Sequence, residues 1–98
     1  MSALLICDVS VHDREKLFEY LELAKGTVEL FGGQYLAQAG EISVLEGSWN
    51  PQTMVVVKFP TAESAREWYR SDSYAPALKM NAKAMVRNML LVQCLENV

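Results

Sequence analysis

The segment Thr53-Met54-Val55-Val56-Val57-Lys58-Phe59 decides the fold, because it carries three consecutive valines and ends on an aromatic residue. β-Branched and aromatic residues favour β-strands, and Pro60 ends the strand because proline has no N–H to give to a neighbouring strand. Similar apolar runs at residues 3–7 and 89–95 predict two further strands. In all three strands apolar residues stand at consecutive positions, so both faces of each strand are apolar.

Two helical regions separate these strands. The first begins at Asp13, whose carboxylate can accept hydrogen bonds from the free N–H groups of a helix start. It is predicted to run to Gly32-Gly33, because glycine readily takes the left-handed conformation of a helix end. The second begins at Thr61, breaks at residues 71–73 and continues over residues 74–86. Residues 34–37 and 42–46 are predicted to form a hairpin or one long bent strand.

The predicted order of elements is strand, helix, two strands, helix, strand. This order is typical of the ferredoxin-like βαββαβ pattern. In this α+β fold both helical regions lie on one face of a four-stranded antiparallel sheet. We therefore expect residues 1–98 to form a single domain of this fold.

The apolar character of both sheet faces predicts that the face opposite the helices is covered. Two helices shield only one face, and monomers rarely expose large contiguous apolar patches. The chain has 98 residues, of which 51% are hydrophobic and 21% charged, and such a small, apolar domain favours association. The simplest cover is a second copy, so we expect a homodimer that packs sheet against sheet about a two-fold axis.

The same pattern predicts which side chains face the helices and which face the partner. Those expected to face the helices are Leu4, Ile6, Val55, Val57, Leu90 and Val92. Those expected to face the partner are Ala3, Leu5, Cys7, Met54, Val56, Met89 and Leu91.

Composition argues against several classes of function. The net charge of −3 does not suit nucleic-acid binding, which needs a basic surface, and the Lys79, Lys83 and Arg87 series is interpreted as a solvated helix face. Two cysteines without CxxC spacing and a single histidine predict no metal site, and we expect no cofactor. No apolar stretch is long enough to span a membrane and no signal peptide is evident. We therefore expect a cytoplasmic protein with neither nucleic acid nor membrane as a partner.

Several motifs together resemble a known family. They are residues 32–36 (GGQYL), 44–51 (VLEGSWNP) and 55–60 (VVVKFP), followed by Ala65, Trp68-Tyr69, Ser71 and Tyr74. This combination, which covers nearly the whole chain, resembles the domain-of-unknown-function family 1330 of the dimeric α+β barrel superfamily. The resemblance implies a ferredoxin-like subunit and a face-to-face sheet dimer, but no established reaction. Relatives in the superfamily include cofactor-free monooxygenases, haem enzymes, lyases, isomerases and ligand-binding modules.

The sequence departs from the family pattern at several positions where the family commonly carries a charged residue. These positions are Gln34, Gln38, Thr53, Lys58 and Asn81. All but Lys58, which replaces a glutamate, stand at or near a common arginine. Because guanidinium groups bind carboxylate and phosphate bidentately, the resemblance implies a weakened site for anionic ligands.

The candidate functional residues are acidic or aromatic. Glu46 and Asp8 are the candidate catalytic residues, because a carboxylate beside an aromatic wall or at the end of a central strand can transfer protons. The expected ligand-binding residues, lining a pocket between sheet and helices, are Tyr20, Trp49, Trp68 and Tyr74. Ion pairing or turn formation for the carboxylates, and packing for the aromatic rings, are the structural alternatives. Three functions stay open: an enzyme acting on a small organic ligand, a non-catalytic small-molecule-binding or protein-interaction module, and a purely structural domain.

Overall fold

The computed structural model describes residues 1–96, which contain four strands and four helices. The strands are β1 (Ala3–Val11), β2 (Gln34–Gln38), β3 (Thr53–Phe59) and β4 (Met85–Gln93). The helices are α1 (Arg14–Ala24), α2 (Thr27–Leu30), α3 (Ala62–Tyr69) and α4 (Ala75–Ala84). Among these helices none combines the length and the apolar character that crossing a bilayer would require.

The strands form one antiparallel sheet in the order β2-β3-β1-β4. β1 and β4 pair along their whole length, from Ala3 opposite Gln93 to Val11 opposite Met85. The Cα atoms extend only 16 Å along the shortest principal axis, as expected for one sheet and one layer of helices. This is the ferredoxin-like arrangement, so the predicted α+β fold with a four-stranded antiparallel sheet is confirmed.

The core lies between the sheet and the second helical region. Phe59, Trp68 and Tyr74 are its largest buried aromatic side chains, and the Trp68 and Tyr74 rings lie 4.1 Å apart between centroids. Thr61 caps α3 as predicted, because its hydroxyl accepts a hydrogen bond from the Ser64 N–H at 3.0 Å. This capped helix holds the aromatic cluster against the sheet.

The predicted facing of β1 and β4 is wrong. Leu5 and Cys7 are buried on the helix side of the sheet, and Leu5 stands opposite Val57 of β3 and Leu91 of β4. Opposite residues of an antiparallel pair point to the same face, so these three side chains share the helix side. The prediction failed because β1 is apolar at consecutive positions and so offers no alternation that would fix its phase.

The opposite side of the sheet is here called the outer face. Its apolar side chains include Leu4, Ile6, Met54, Val56, Val86, Leu90 and Val92. For β3 the predicted facing holds, since Val55 and Val57 belong to the helix side and Met54 and Val56 to the outer face. No described helix packs on the outer face.

The first helical region is not one helix, contrary to the prediction. α1 ends at Ala24, and Gly26 has a φ of 77°, in the left-handed region where only glycine is unstrained. α2 then covers a single turn. Asp13 does cap α1 as predicted, by accepting a hydrogen bond from the Lys16 N–H at 3.1 Å.

The predicted strand at residues 42–46 is also wrong, because residues 40–52 form a loop. Ala39 has a φ of 56°, which turns the chain away from β3 directly after β2 ends. We call residues 40–52 the β2–β3 loop. Its exposed apolar side chains include Val44, Leu45 and Trp49.

β4 begins four residues earlier than the position predicted for it, at Met85. The reason lies in β1, which does not stop at Asp8 but continues to Val11 and pairs with residues 85–88. Arg87 therefore lies on a strand, opposite Val9. Its interpretation as part of a solvated helix face is wrong.

The space around Gly33 gives a stability prediction. A Cβ at this position would lie 2.4 Å from Val28 Cγ1 and 2.9 Å from Phe59 Cε1, whereas nothing lies within 4 Å of a Cβ at Gly40. We expect Gly33→Ala to lower the free energy of unfolding by about 1–3 kcal/mol through overpacking. Gly40→Ala is the matched control and should not be destabilised. Urea unfolding followed by circular dichroism measures both, and equal stabilities would contradict the packing described here.

Candidate functional site

A cavity of about 520 Å³ lies between the sheet and helices α1 and α2. It is open because α1 packs against α4 and buries no residue of its own. Its apolar walls include Leu5, Cys7, Val9, Val55 and Val57 from the sheet and Leu17, Leu21, Ala24 and Val28 from the helices. Small-molecule sites commonly measure about 300–1,000 Å³, so the cavity is large enough for an organic ligand.

One end of the cavity is polar. The Arg87 guanidinium donates from Nη1 to the Tyr20 hydroxyl at 3.0 Å and from Nη2 to the Tyr74 hydroxyl at 2.8 Å. The two hydroxyl oxygens lie 2.7 Å apart and share a hydrogen bond. We call these three side chains the arginine–tyrosine cluster. Tyr20 and Arg87 line the cavity, and Tyr74 lies behind them in the core.

Arg87 carries a positive charge and forms no ion pair with a carboxylate of residues 1–96. Among residues 1–96, both salt bridges lie on helix surfaces and neither includes Arg87. Burial lowers the pKa of Arg87, but interactions with Tyr20 and Tyr74 outweigh burial and leave its pKa above the usual value. The guanidinium is therefore charged and half-buried, and within residues 1–96 its hydrogen bonds go to the two tyrosine hydroxyls.

Three other groups near Arg87 have raised pKa values that keep them neutral. Burial and the neighbouring Tyr20 raise the pKa of the Tyr74 hydroxyl far above its usual value, against the opposing effect of Arg87. Burial raises the pKa of Tyr35, on the cavity wall, to about 12. Burial also raises the pKa of the Cys7 thiol, although Arg87 opposes it. Lys25 and Glu29 line the cavity but are exposed to solvent, whereas the charged side chain of Arg87 is half-buried.

Trp68 is held in the cavity wall by a buried hydrogen bond. Its indole Nε1–H donates to the Thr27 hydroxyl oxygen at 3.1 Å, and that hydroxyl donates to the Ala24 carbonyl at 2.8 Å. The same threonine therefore joins the break between α1 and α2 to the aromatic core. A β-branched residue with a hydroxyl suits this position because it fills space and pairs two buried polar groups.

Two of the four aromatic residues predicted to bind a ligand line the cavity, namely Tyr20 and Trp68. Tyr74 does not line the cavity, but its hydroxyl is bonded to Tyr20 and Arg87 and its ring packs against Trp68. Trp49 does not line it, and that placement is wrong: the residue lies in the β2–β3 loop, where its Nε1–H donates to Asp8 Oδ2 at 3.0 Å. Their part in ligand binding stays a prediction.

The two carboxylates lie apart from the cavity. Asp8 alternates with buried Cys7 and Val9 and so projects from the outer face, away from the cavity beneath the helices. Glu46 is exposed in the β2–β3 loop. The structure does not bring either carboxylate together with Tyr20 or Trp68. Their catalytic role stays a prediction.

Sequence reasoning missed Arg87. The signal that could have found it is the alternation of Met85, Arg87 and Met89, which share the helix side of β4. Gln38 and Thr53, two of the positions that depart from the family pattern, also line the cavity but carry no charge. Arg87 is the residue that places a guanidinium there. Within the described part of the chain, no three side chains of histidine, cysteine, aspartate or glutamate cluster as metal ligands would. The expectation of no metal and no cofactor stays a prediction.

The ferredoxin-like fold and the enclosed arginine–tyrosine cluster define a small α+β protein with a ligand-sized cavity beneath its helices. The family model described as domain of unknown function (DUF1330) matches residues 2–95, and the chain belongs to this family. The resemblance seen in the sequence is thereby confirmed. No curated protein matches the chain.

Solved structures show the same fold. A protein of unknown function from Rhodopseudomonas palustris has a TM-score of 0.78 and 17% identity, over 97% of this chain and 83% of its own. SnoaB, a cofactor-independent oxygenase from Streptomyces nogalater, has a TM-score of 0.59 and 11% identity, over 97% of this chain and 94% of its own. A dimeric protein of unknown function and ferredoxin-like fold from Bacteroides fragilis has a TM-score of 0.54 and 12% identity, over 95% of this chain and 96% of its own. At these identities the similarity extends to the fold alone.

The buried bond between Trp68 and Thr27 gives a second stability prediction. Thr27→Val keeps the shape of the side chain but leaves the indole N–H without an acceptor, so we expect a loss of about 1–3 kcal/mol in the free energy of unfolding. Thr27→Ser keeps the hydroxyl and is the matched control, with a smaller loss. Denaturant unfolding of the three proteins checks this, and a valine variant as stable as the serine variant would rule out the hydrogen bond as the cause.

Proposed function

We propose that the protein binds a small, mainly apolar organic anion in the cavity, with the anionic oxygen at Arg87 and the apolar part against the walls. The observation that carries this proposal is the guanidinium of Arg87, which has no counterion among residues 1–96. A half-buried charge without a counterion is unfavourable, and a ligand carboxylate, phenolate or enolate would supply the missing negative charge. Apolar walls with a few polar groups at one end are typical of small-molecule sites.

A second candidate is an enzyme that acts on such a ligand. It is favoured by the arrangement of donors at the polar end, since fixed N–H and O–H groups in an enclosed site can stabilise negative charge that develops on an oxygen atom. The oxygenase SnoaB shares the fold. The two candidates differ in whether a bound ligand is recovered chemically unchanged.

The charge of Arg87 gives a binding prediction. We expect Arg87→Gln to weaken the binding of 2-naphthoate at least tenfold, because a charge-assisted hydrogen bond contributes about 1.5–3 kcal/mol. Binding of the neutral 2-naphthamide should change much less. Arg14→Gln, which removes an exposed guanidinium on α1, is the matched control and should bind both compounds like the wild type. Isothermal titration calorimetry measures the affinities.

The same assay separates this proposal from the carboxylate hypothesis. Asp8→Asn and Glu46→Gln should bind 2-naphthoate like the wild type, because neither side chain lines the cavity. If either variant loses binding while Arg87→Gln retains it, the ligand site lies elsewhere and the proposal is wrong.

We also propose that the protein is a homodimer that packs through the outer face. The apolar outer side chains support this, since Leu90 is 54% and Val92 46% exposed in the single chain. Fully burying such a side chain contributes about 1.5–3 kcal/mol. The loop side chains Leu45 and Trp49 would extend the contact beyond the sheet. The Bacteroides fragilis protein, which shares the fold, is described as dimeric.

The dimer proposal predicts different effects for two exposed leucines. Leu90→Lys places a charge in the middle of the outer face and should dissociate the dimer at micromolar concentration. Leu30→Lys changes a leucine that is 72% exposed on α2, away from the outer face, and should leave the dimer intact. Sedimentation equilibrium measures the mass. A wild-type protein that is monomeric at micromolar concentration would contradict the proposal.

A cytoplasmic location remains part of the proposal. It is supported by Cys7 and Cys94, which are both free, because reduced cysteines are typical of the cytoplasm.

A further inference from the structure

We infer that Tyr20 is the hydrogen-bond donor that meets the ligand oxygen, and that Tyr74 is the positioning residue that directs the Tyr20 proton into the cavity. This inference rests on the proposed function of the cavity. It assigns a direction to each hydrogen bond of the arginine–tyrosine cluster and thereby defines the class of ligand that the polar end accepts.

The cluster contains one hydroxyl proton more than its internal hydrogen bonds use. Each tyrosine hydroxyl has a single proton to donate. Arg87 donates to both hydroxyl oxygens, so neither tyrosine proton is used there. Only one proton lies between the two oxygens, which are 2.7 Å apart. The remaining tyrosine proton needs an acceptor outside the cluster.

Burial decides which tyrosine carries that remaining proton. The Tyr74 side chain is fully buried, and among residues 1–96 its hydroxyl is bonded to Tyr20 and Arg87 alone. If Tyr20 donated to Tyr74, the Tyr74 proton would be buried without an acceptor, which is strongly disfavoured. Tyr74 therefore donates to Tyr20.

The Tyr20 oxygen then accepts two hydrogen bonds, one from Tyr74 and one from Arg87. Its own proton is left to point into the cavity, which Tyr20 lines and Tyr74 does not. The two side chains of the cluster that line the cavity, Tyr20 and Arg87, consequently both donate, because a guanidinium has no acceptor. The site selects ligands that present an acceptor oxygen, such as a carboxylate, a ketone or its enolate, and it rejects ammonium groups.

Three related compounds test the role of Tyr20: 2-naphthoate, 2-acetonaphthone and naphthalene. They offer the site a charged acceptor, a neutral acceptor and no acceptor, respectively. Tyr20→Phe should bind the two oxygen compounds about tenfold more weakly than the wild type does and should bind naphthalene equally well. A merely structural role would change all three affinities. Tyr69→Phe, which removes a hydroxyl from an exposed tyrosine on α3 that is not part of the cavity wall, is the matched control. NMR titration of the labelled protein gives the affinities.

Tyr74→Phe tests the direction of the shared hydrogen bond through the sign of its effect. With Tyr74 as donor, its removal takes away a bond that polarises the Tyr20 hydroxyl, so 2-naphthoate should bind a few-fold more weakly. With Tyr20 as donor, the same change would release the Tyr20 proton to the ligand and tighten binding. Equal or tighter binding overturns the assignment to Tyr74. If this buried variant does not fold, the three affinities of Tyr20→Phe decide the inference.

The outcomes separate this inference from the proposed function. If Arg87→Gln and Tyr20→Phe both bind 2-naphthoate like the wild type, the proposed function is wrong and the inference falls with it. If Arg87→Gln loses binding while Tyr20→Phe binds both oxygen compounds normally, only the inference is wrong.

Discussion

The pairing of β1 with β3 and β4 is the constraint on which the other features depend. Residues that stand opposite each other in an antiparallel ladder share a face, so the register of these strands assigns every side chain of the sheet to one side. It directs Leu5 and Cys7 toward the helices and Asp8 toward the outer face. Because the pairing of β1 with β4 continues past Asp8, Arg87 lies on β4 and its side chain lines the cavity.

The cavity exists because α1 takes its main support from α4 and not from the sheet. A helix that lay closer would fill the space with its own leucines and would bury Arg87 without room for a counterion. Instead the guanidinium is bonded to two hydroxyls that leave its charge uncompensated. The local arrangement therefore leaves a positive charge beside an apolar cavity.

The sequence was sufficient for the four strands of the antiparallel sheet and for two helix caps, because these depend on residue types such as the valines of β3 and the threonine at position 61. It was insufficient for the facing of β1, since consecutive apolar residues give no alternation to read. The site was harder to predict. Tyr20 was an expected ligand contact, but Arg87 was not, because the position of Arg87 on β4 depends on the pairing of β4 with the end of β1, which is far away in the sequence. Trp49 was misplaced for a related reason, since a loop position is set by tertiary contacts and not by local pattern.

The two tryptophans lie on opposite sides of the sheet in opposite environments. Trp68 is 3% exposed beside the cavity, whereas Trp49 is 62% exposed and bonded to the outer face through Asp8. An indole in an apolar interior emits at shorter wavelength than one in water, so the intrinsic emission of this chain contains two separable components. One component comes from the cavity side of the sheet and the other from the side of the outer face. The molecule therefore carries its own optical reporter for each face.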